Sequence, residues 1–168
     1  MEKKPQFVRD VQIDTDSEML IPDEYVSSIQ ERLSLYTELD GIETEEELAQ
    51  FEERMRDRFG KLPIQVKELF EGLRLRWVCK ALGFERIILK NNKLRCYFVE
   101  NPQSAFFESA LFNNIIQLIS TQGNKQGLSF KQSHKHFILV KDGVKGLREA
   151  HEVLQRILDK VGAVTEAG

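Results

Sequence analysis

The chain has 168 residues, 41% of them hydrophobic and 30% charged, which excludes a disordered or collagen-like polymer and fits one domain of ordinary size. No apolar run reaches the ~20 residues of a membrane span, and Met1-Glu2-Lys3-Lys4-Pro5 leads into no apolar region of the signal type. The formal net charge of −3 hides a polarity: residues 16–60 hold 14 acidic and four basic side chains, whereas 61–168 hold 17 basic and 10 acidic.

The first alternating stretch, Val8-Arg9-Asp10-Val11-Gln12-Ile13, predicts a short edge strand at 8–13. A polar loop follows to Asp23, which is placed to cap a helix whose inner stripe is Val26, Ile29, Leu33, Tyr36 and Leu39, ended by Gly41. Thr44-Glu45-Glu46-Glu47 forms a capping box, in which the Thr44 hydroxyl accepts from the Glu47 amide and the Glu47 carboxylate reaches back to the Thr44 amide. The helix it starts buries Leu48, Phe51, Met55 and Phe59 and stops at Gly60. Pro63 opens a third helix at its first position, lined by Val66, Leu69, Phe70, Leu73, Trp77 and Ala81 and stopped by Gly83.

A hairpin follows, 87–90 against 93–99, turning at Asn91-Asn92 because both residues tolerate positive φ. Asn101-Pro102 starts a fourth helix with Phe107, Leu111, Ile115 and Leu118 inward, and 121–126 reads as a polar loop. Strands at 128–132 and 136–141 meet at Ser133-His134, and Asp142-Gly143 turns into a last helix built on Val144, Leu147, Leu154, Ile157, Leu158 and Val161. The class is therefore α+β: N-terminal helices followed by antiparallel hairpins and helices in a single domain. The expected division is an end or linker segment at 1–7, the domain at 8–162 and a frayed tail at 163–168.

Chemistry-bearing patterns are sparse. There is no GxxxxGK[ST] and no Gly-rich phosphate loop, so no nucleotide cofactor is expected in this chain. His134 and His136 lack a third ligand nearby, and Cys79 and Cys96 form no CxxC pair and read as core thiols of a reducing compartment. No nucleophile–base set is present, so neither a catalytic nor a metal residue is assigned and the chain alone is not read as an enzyme. A basic group of Arg74, Arg76 and Lys80, with Lys131 and Lys135 further on, leaves a second reading open, an accessory nucleic-acid-binding domain of a repair or helicase protein.

Two stretches carry a family likeness. The first is Ile21-Pro22-Asp23-Glu24-Tyr25-Val26 with Arg32-Leu33-Ser34-Leu35-Tyr36. The second is Glu47-Leu48, then Asp57-Arg58-Phe59-Gly60-Lys61-Leu62-Pro63, then Leu73-Arg74 and Ala81-Leu82-Gly83. Together they resemble the C-terminal domain of the bacterial transcription-repair coupling factor family (Mfd, or TRCF), with its IPDxYI, RLxxY, DRFGxxP and LR…LG motifs. The resemblance runs from about Val8 to Gly83, and beyond the hairpin it rests on element order. Phe59, Gly60, Leu62 and Pro63 are the structural core of the DRFG turn.

That resemblance implies a regulatory role. The full-length factors are ATP- and magnesium-dependent double-stranded DNA translocases that displace stalled RNA polymerase and recruit UvrA in the bacterial cytoplasm. Their C-terminal domain docks on a UvrB-like module of the same protein, masking the UvrA-binding surface and restraining the motor. Asp57, inside the matched motif, is the main candidate docking charge. Glu53, one turn earlier, is added on physical grounds, while Arg54 and Arg56 depart from the more acidic or apolar residues usual there.

Overall fold

The computed structural model describes residues 7–167, so residues 1–6 of the expected end segment at 1–7 and the last residue of the tail at 163–168 lie outside them. The described chain forms two compact units: Ser17–Arg74, and the residues up to Asp16 together with those from Leu75 onward.

The first unit is helical. Helix α1 (Ile29–Asp40) is capped by Ser28, whose hydroxyl accepts from the Glu31 amide at 3.2 Å. The cap expected at Asp23 is displaced because 23–26 turns first, Tyr25 and Val26 both donating to the Pro22 carbonyl. Only part of the expected α1 stripe is buried. Val26 and Leu39 are inside, but Ile29 is 66% and Leu33 60% exposed.

Helix α2 (Glu45–Phe59) buries Leu48, Phe51 and Met55 and is capped by Thr44, whose hydroxyl accepts from the Glu47 amide at 3.2 Å. The return bond differs from the expected box: the Glu47 carboxylate accepts from the Thr44 hydroxyl at 3.0 Å, so its reach ends one group short of the Thr44 amide. Gly60 ends α2 at φ +90°, a conformation that only glycine adopts without strain.

Helix α3 (Ile64–Leu82) begins one residue later than expected. Pro63 stands just outside it, its carbonyl accepting from Val66 and Lys67. The helix has two buried faces in place of one stripe. Val66, Phe70 and Leu73 are buried in its first part, and Leu75, Val78, Cys79 and Leu82 in its second, while Leu69 and Trp77 are half-buried and Ala81 exposed. The change falls where the chain passes from one unit to the other, so each part of α3 serves a different core.

The second unit is a five-stranded sheet in the order β1-β2-β3-β5-β4, with β1 Gln12–Thr15, β2 Phe84–Lys90, β3 Lys93–Phe98, β4 Leu128–Ser133 and β5 His136–Asp142. Asn91 and Asn92 turn the β2–β3 hairpin with φ of 54° and 61°. The β4–β5 turn lies at His134-Lys135, one residue past the expected place, with His134 at φ 53°. The edge strand is shifted from 8–13 to Gln12–Thr15, since Val8 and Val11 enter the core as irregular chain. It pairs with β2 in parallel, Ile13 opposite Ile87.

One side of this sheet carries Ile87, Leu89, Leu94, Cys96, Phe98 and Leu139, all buried. Phe98 is the hub of that core, its ring 4.6 Å from Phe84, 5.5 Å from Phe112 and 5.7 Å from Phe106. A 3-10 turn (Ala105–Glu108) precedes α4 (Ala110–Gln126), which starts later and ends later than expected. Ser109 caps it, and the polar residues of 121–126 are its exposed side, with Gly123 buried against β4. Helix α5 (Leu147–Ala167) buries Leu147, Ala150, Val153, Leu154, Ile157 and Val161.

Candidate functional site

The quoted motif residues of the helical unit hold one another. The Tyr36 hydroxyl accepts from the Ile21 amide at 2.6 Å, which ties the start of the IPDEYV segment to α1. Arg32 donates to the Val26 carbonyl at 2.6 Å, closing the other end of that segment on the same helix. Tyr25 reaches the end of α2, its hydroxyl donating to the Gly60 carbonyl at 2.8 Å and its ring 5.7 Å from Phe59. Leu62 is buried and Phe59 and Pro63 are half-buried, so the DRFG turn is a structural junction that receives Tyr25.

Charge is distributed over α2 in a selective way. Arg54 pairs with Glu38 and Arg58 with Glu31, both across to α1, and Arg56 pairs with Glu52 at 2.8 Å. Arg54 and Arg58 also cover the rings of Phe51 and Phe59 at 5.6 and 5.1 Å. Every arginine of the helix is thus engaged. Glu53 and Asp57 are exposed, and neither has a hydrogen bond or ion pair among the described residues. They stand four residues apart, which puts both carboxylates on one helix face, an arrangement that costs a few tenths of a kcal/mol in isolation.

Other candidates are dispersed. Arg74 is committed to Glu45 at 2.6 Å and Glu71 at 2.9 Å, which removes it from the basic group read in the sequence. Cys79 and Cys96 are fully buried free thiols, and burial pushes both well above the usual thiol range. Among the described residues no group of three or more His, Cys, Asp or Glu is placed to hold a metal ion, and no helix is long and apolar enough to cross a membrane. Sequence periodicity did not reveal that the apolar residues Ile29, Leu33 and Ile64 of this helical unit are exposed, because a buried and an exposed apolar stripe have the same spacing.

A family model described as the TRCF domain matches residues 15–109, more than half of the chain. The chain belongs to the TRCF domain family. The match begins before the IPDEYV segment and ends before α4, so it contains the interlocked motifs and both unpaired α2 acids. This TRCF domain is similar to the transcription-repair-coupling factor of Rickettsia typhi, 25% identical over 142 residues, covering 84% of this chain and 12% of that protein. It is 32% identical over 107 residues to the factor of Rickettsia prowazekii, covering 64% of this chain and 9% of that protein. With the factor of Escherichia coli K12 it shares 34% identity over 68 residues, 40% of this chain and 6% of that protein. The chain thus spans about a tenth of the length of these relatives. Its fold matches a crystal structure of the C-terminal domain of transcription-repair coupling factor with a TM-score of 0.66 at 19% identity, covering 89% of this chain and 94% of that one.

Proposed function

We propose that this TRCF domain is the autoinhibitory C-terminal domain of a transcription-coupled repair translocase. In this reading it docks through α2 on the UvrB-like module of its own parent protein, masks the UvrA-binding surface and restrains the ATP-driven motor until RNA polymerase is engaged on double-stranded DNA. The chain works in the bacterial cytoplasm and supplies no catalytic residue of its own. One observation carries the reading: all three arginines of α2 are engaged, while Glu53 and Asp57, one turn apart, are exposed and have no hydrogen bond or ion pair among the described residues. Two like charges at that spacing repel, and an arriving pair of arginines converts the repulsion into charge-assisted hydrogen bonds worth about 1.5–3 kcal/mol each. Ile29 and Leu33 on α1 add apolar surface of the kind that fills the centre of an interface. An interface built mainly on exposed charge is screened by salt and is released when a competitor takes the cation, which suits a switch.

The test is calorimetric titration of the chain with the UvrB-like module at about 50 and 300 mM salt. Binding that weakens as salt rises supports the reading. Absence of binding, both between separate chains and in a single chain that joins the two by a flexible linker and so raises their effective concentration, defeats it.

A further inference from the structure

The two edges of the sheet differ. At one end β1 has four residues, whereas β4 at the other has six and pairs with β5 in unbroken register. Beyond its ladder to β5, β4 makes no backbone hydrogen bond among the described residues. Alternate N–H and C=O groups of an antiparallel edge strand point away from its neighbour, so 128–133 presents an open row of donors and acceptors. Edges are commonly blunted by proline, a bulge or charge. This strand has neither proline nor bulge, and Lys131 is its one charge.

Side chains of β4 alternate between the two sides of the sheet. Phe130, opposite Leu139, and Gln132, opposite Phe137, belong to the side that carries the phenyl core, and Lys131, opposite Ile138, belongs to the other. On the core side lies an open cavity of about 370 Å³, with Phe98 and Phe137 of the sheet facing Phe107 and Phe112. Gln132 also lines it and is exposed, so the cavity reaches the β4 edge. Phe107, Phe112 and Phe137 are only half-buried, as is Phe130, which stacks on Phe137 at 4.9 Å. Glu100, Lys135 and His136 complete the lining, and with a carboxylate beside an ammonium they select no single charge. On the opposite side of the sheet Lys131 is exposed and has no hydrogen bond or ion pair among the described residues.

We propose that β4 receives an extended segment of a partner protein as a further strand of the sheet, a segment in which apolar side chains alternate with acidic ones. An added strand has the same period of two as β4. Its apolar side chains fall beside Phe130 and Gln132, where one large ring enters the phenyl cavity, and the residues between them fall beside Lys131 on the other side. A row of donors and acceptors at strand spacing is matched by another peptide backbone, which selects a protein segment over a free ligand. Antiparallel pairing of β4 with a second copy of itself would bring two Lys131 ammonium groups onto one side of the joined edges, where like charges repel. All of these residues lie in the unit from Leu75 onward, so the inference is independent of the docking reading on α2.

The experiment is an NMR titration of the isotope-labelled 168-residue chain with an end-blocked peptide of roughly seven residues, in which Glu alternates with Val around one central Phe. Binding should shift the amides of 128–133 and those of Phe107, Phe112 and Phe137, and slow hydrogen exchange at alternate β4 amides. N-methylation of one alternate set of peptide amides should abolish binding while methylation of the other set is tolerated, since only one set faces β4. Replacing the central Phe by Ala should weaken binding about tenfold, and Lys131→Glu about three- to tenfold with an unchanged melting temperature. Each of the following overturns the proposal: no shift at about 1 mM peptide, equal binding of a peptide whose acids are grouped at one end, both methylated sets behaving alike, β4 exchange unchanged on binding, or the Ala peptide or Lys131→Glu chain binding like its parent. A chain that alone sediments as a dimer with its β4 amides already protected also overturns it and assigns the edge to a second copy.

Discussion

Tyr36→Phe removes one oxygen atom and isolates a single motif contact to a buried amide. The Tyr36 hydroxyl accepts from the Ile21 amide at 2.6 Å, and Ile21 is only 3% exposed. Phenylalanine keeps the ring and its packing but leaves that amide without an acceptor. An orphaned buried donor costs about 1–3 kcal/mol, so ~2 kcal/mol is expected, a fall of about 4–8 °C in melting temperature for a chain of this size. Tyr25→Phe is the internal control. Its hydroxyl donates to the carbonyl of Gly60, an exposed residue, at 2.8 Å and at the longer distance of 3.3 Å to that of Met55; water can serve Gly60 and phenylalanine orphans no N–H donor, so about 1 kcal/mol or less is expected. Circular dichroism melts give the stability, and amide hydrogen exchange gives the mechanism, since Ile21 must lose protection selectively in Tyr36→Phe. A cost below ~0.5 kcal/mol, or Tyr25→Phe proving the more damaging of the two, would refute the view that buried donor satisfaction makes Tyr36 part of the motif.

Further outcomes follow from the same physics. Gly83 has φ +88°, and a Cβ built there runs into the Phe106 ring, so Gly83→Ala should cost about 2–4 kcal/mol in a thermal melt. Asp14 is held below the usual carboxylate range, chiefly by hydrogen bonding to Arg86 and then to Lys90. Its folded pKa lies under its unfolded one, so its contribution is full above the unfolded value and fades as pH falls through the folded value; Asp14→Asn should flatten acid unfolding there. Burial raises the pKa of Cys79 and Cys96, so iodoacetamide at mildly alkaline pH should leave both unmodified in the folded chain and label both after denaturation.

Local signals were legible in the sequence where a short segment determines its own geometry. Asn91-Asn92 announced its hairpin, Thr44 with Glu47 announced α2, and Gly41, Gly60 and Gly83 marked three helix ends. What depended on distant partners was not legible. The pairing of β1 joins Gln12 to Arg86 across more than 70 residues, and nothing in 8–13 reveals a parallel neighbour or the shift to Gln12–Thr15. The two faces of α3 and the exposure of Ile29 and Leu33 both follow from which core receives a residue, which helical spacing does not state. At the candidate site, Asp57 stood out by motif and Glu53 by position. Their lack of partners became visible only once Arg54, Arg56 and Arg58 were seen to engage Glu38, Glu52 and Glu31.

That contrast between engaged arginines and unpaired carboxylates is the centre of the account. It is tested most directly by titrating the UvrB-like module of the parent protein with the chain carrying Glu53→Lys and Asp57→Lys together. Two exposed helix-surface charges with no hydrogen bond or ion pair among the described residues should leave stability within about 0.5 kcal/mol. If they are the docking charges, binding should weaken by at least about a hundredfold, two charge-assisted contacts at about 1.5 kcal/mol or more each. Unchanged affinity in a variant that melts like the parent chain would contradict the claim that α2 presents them to a partner.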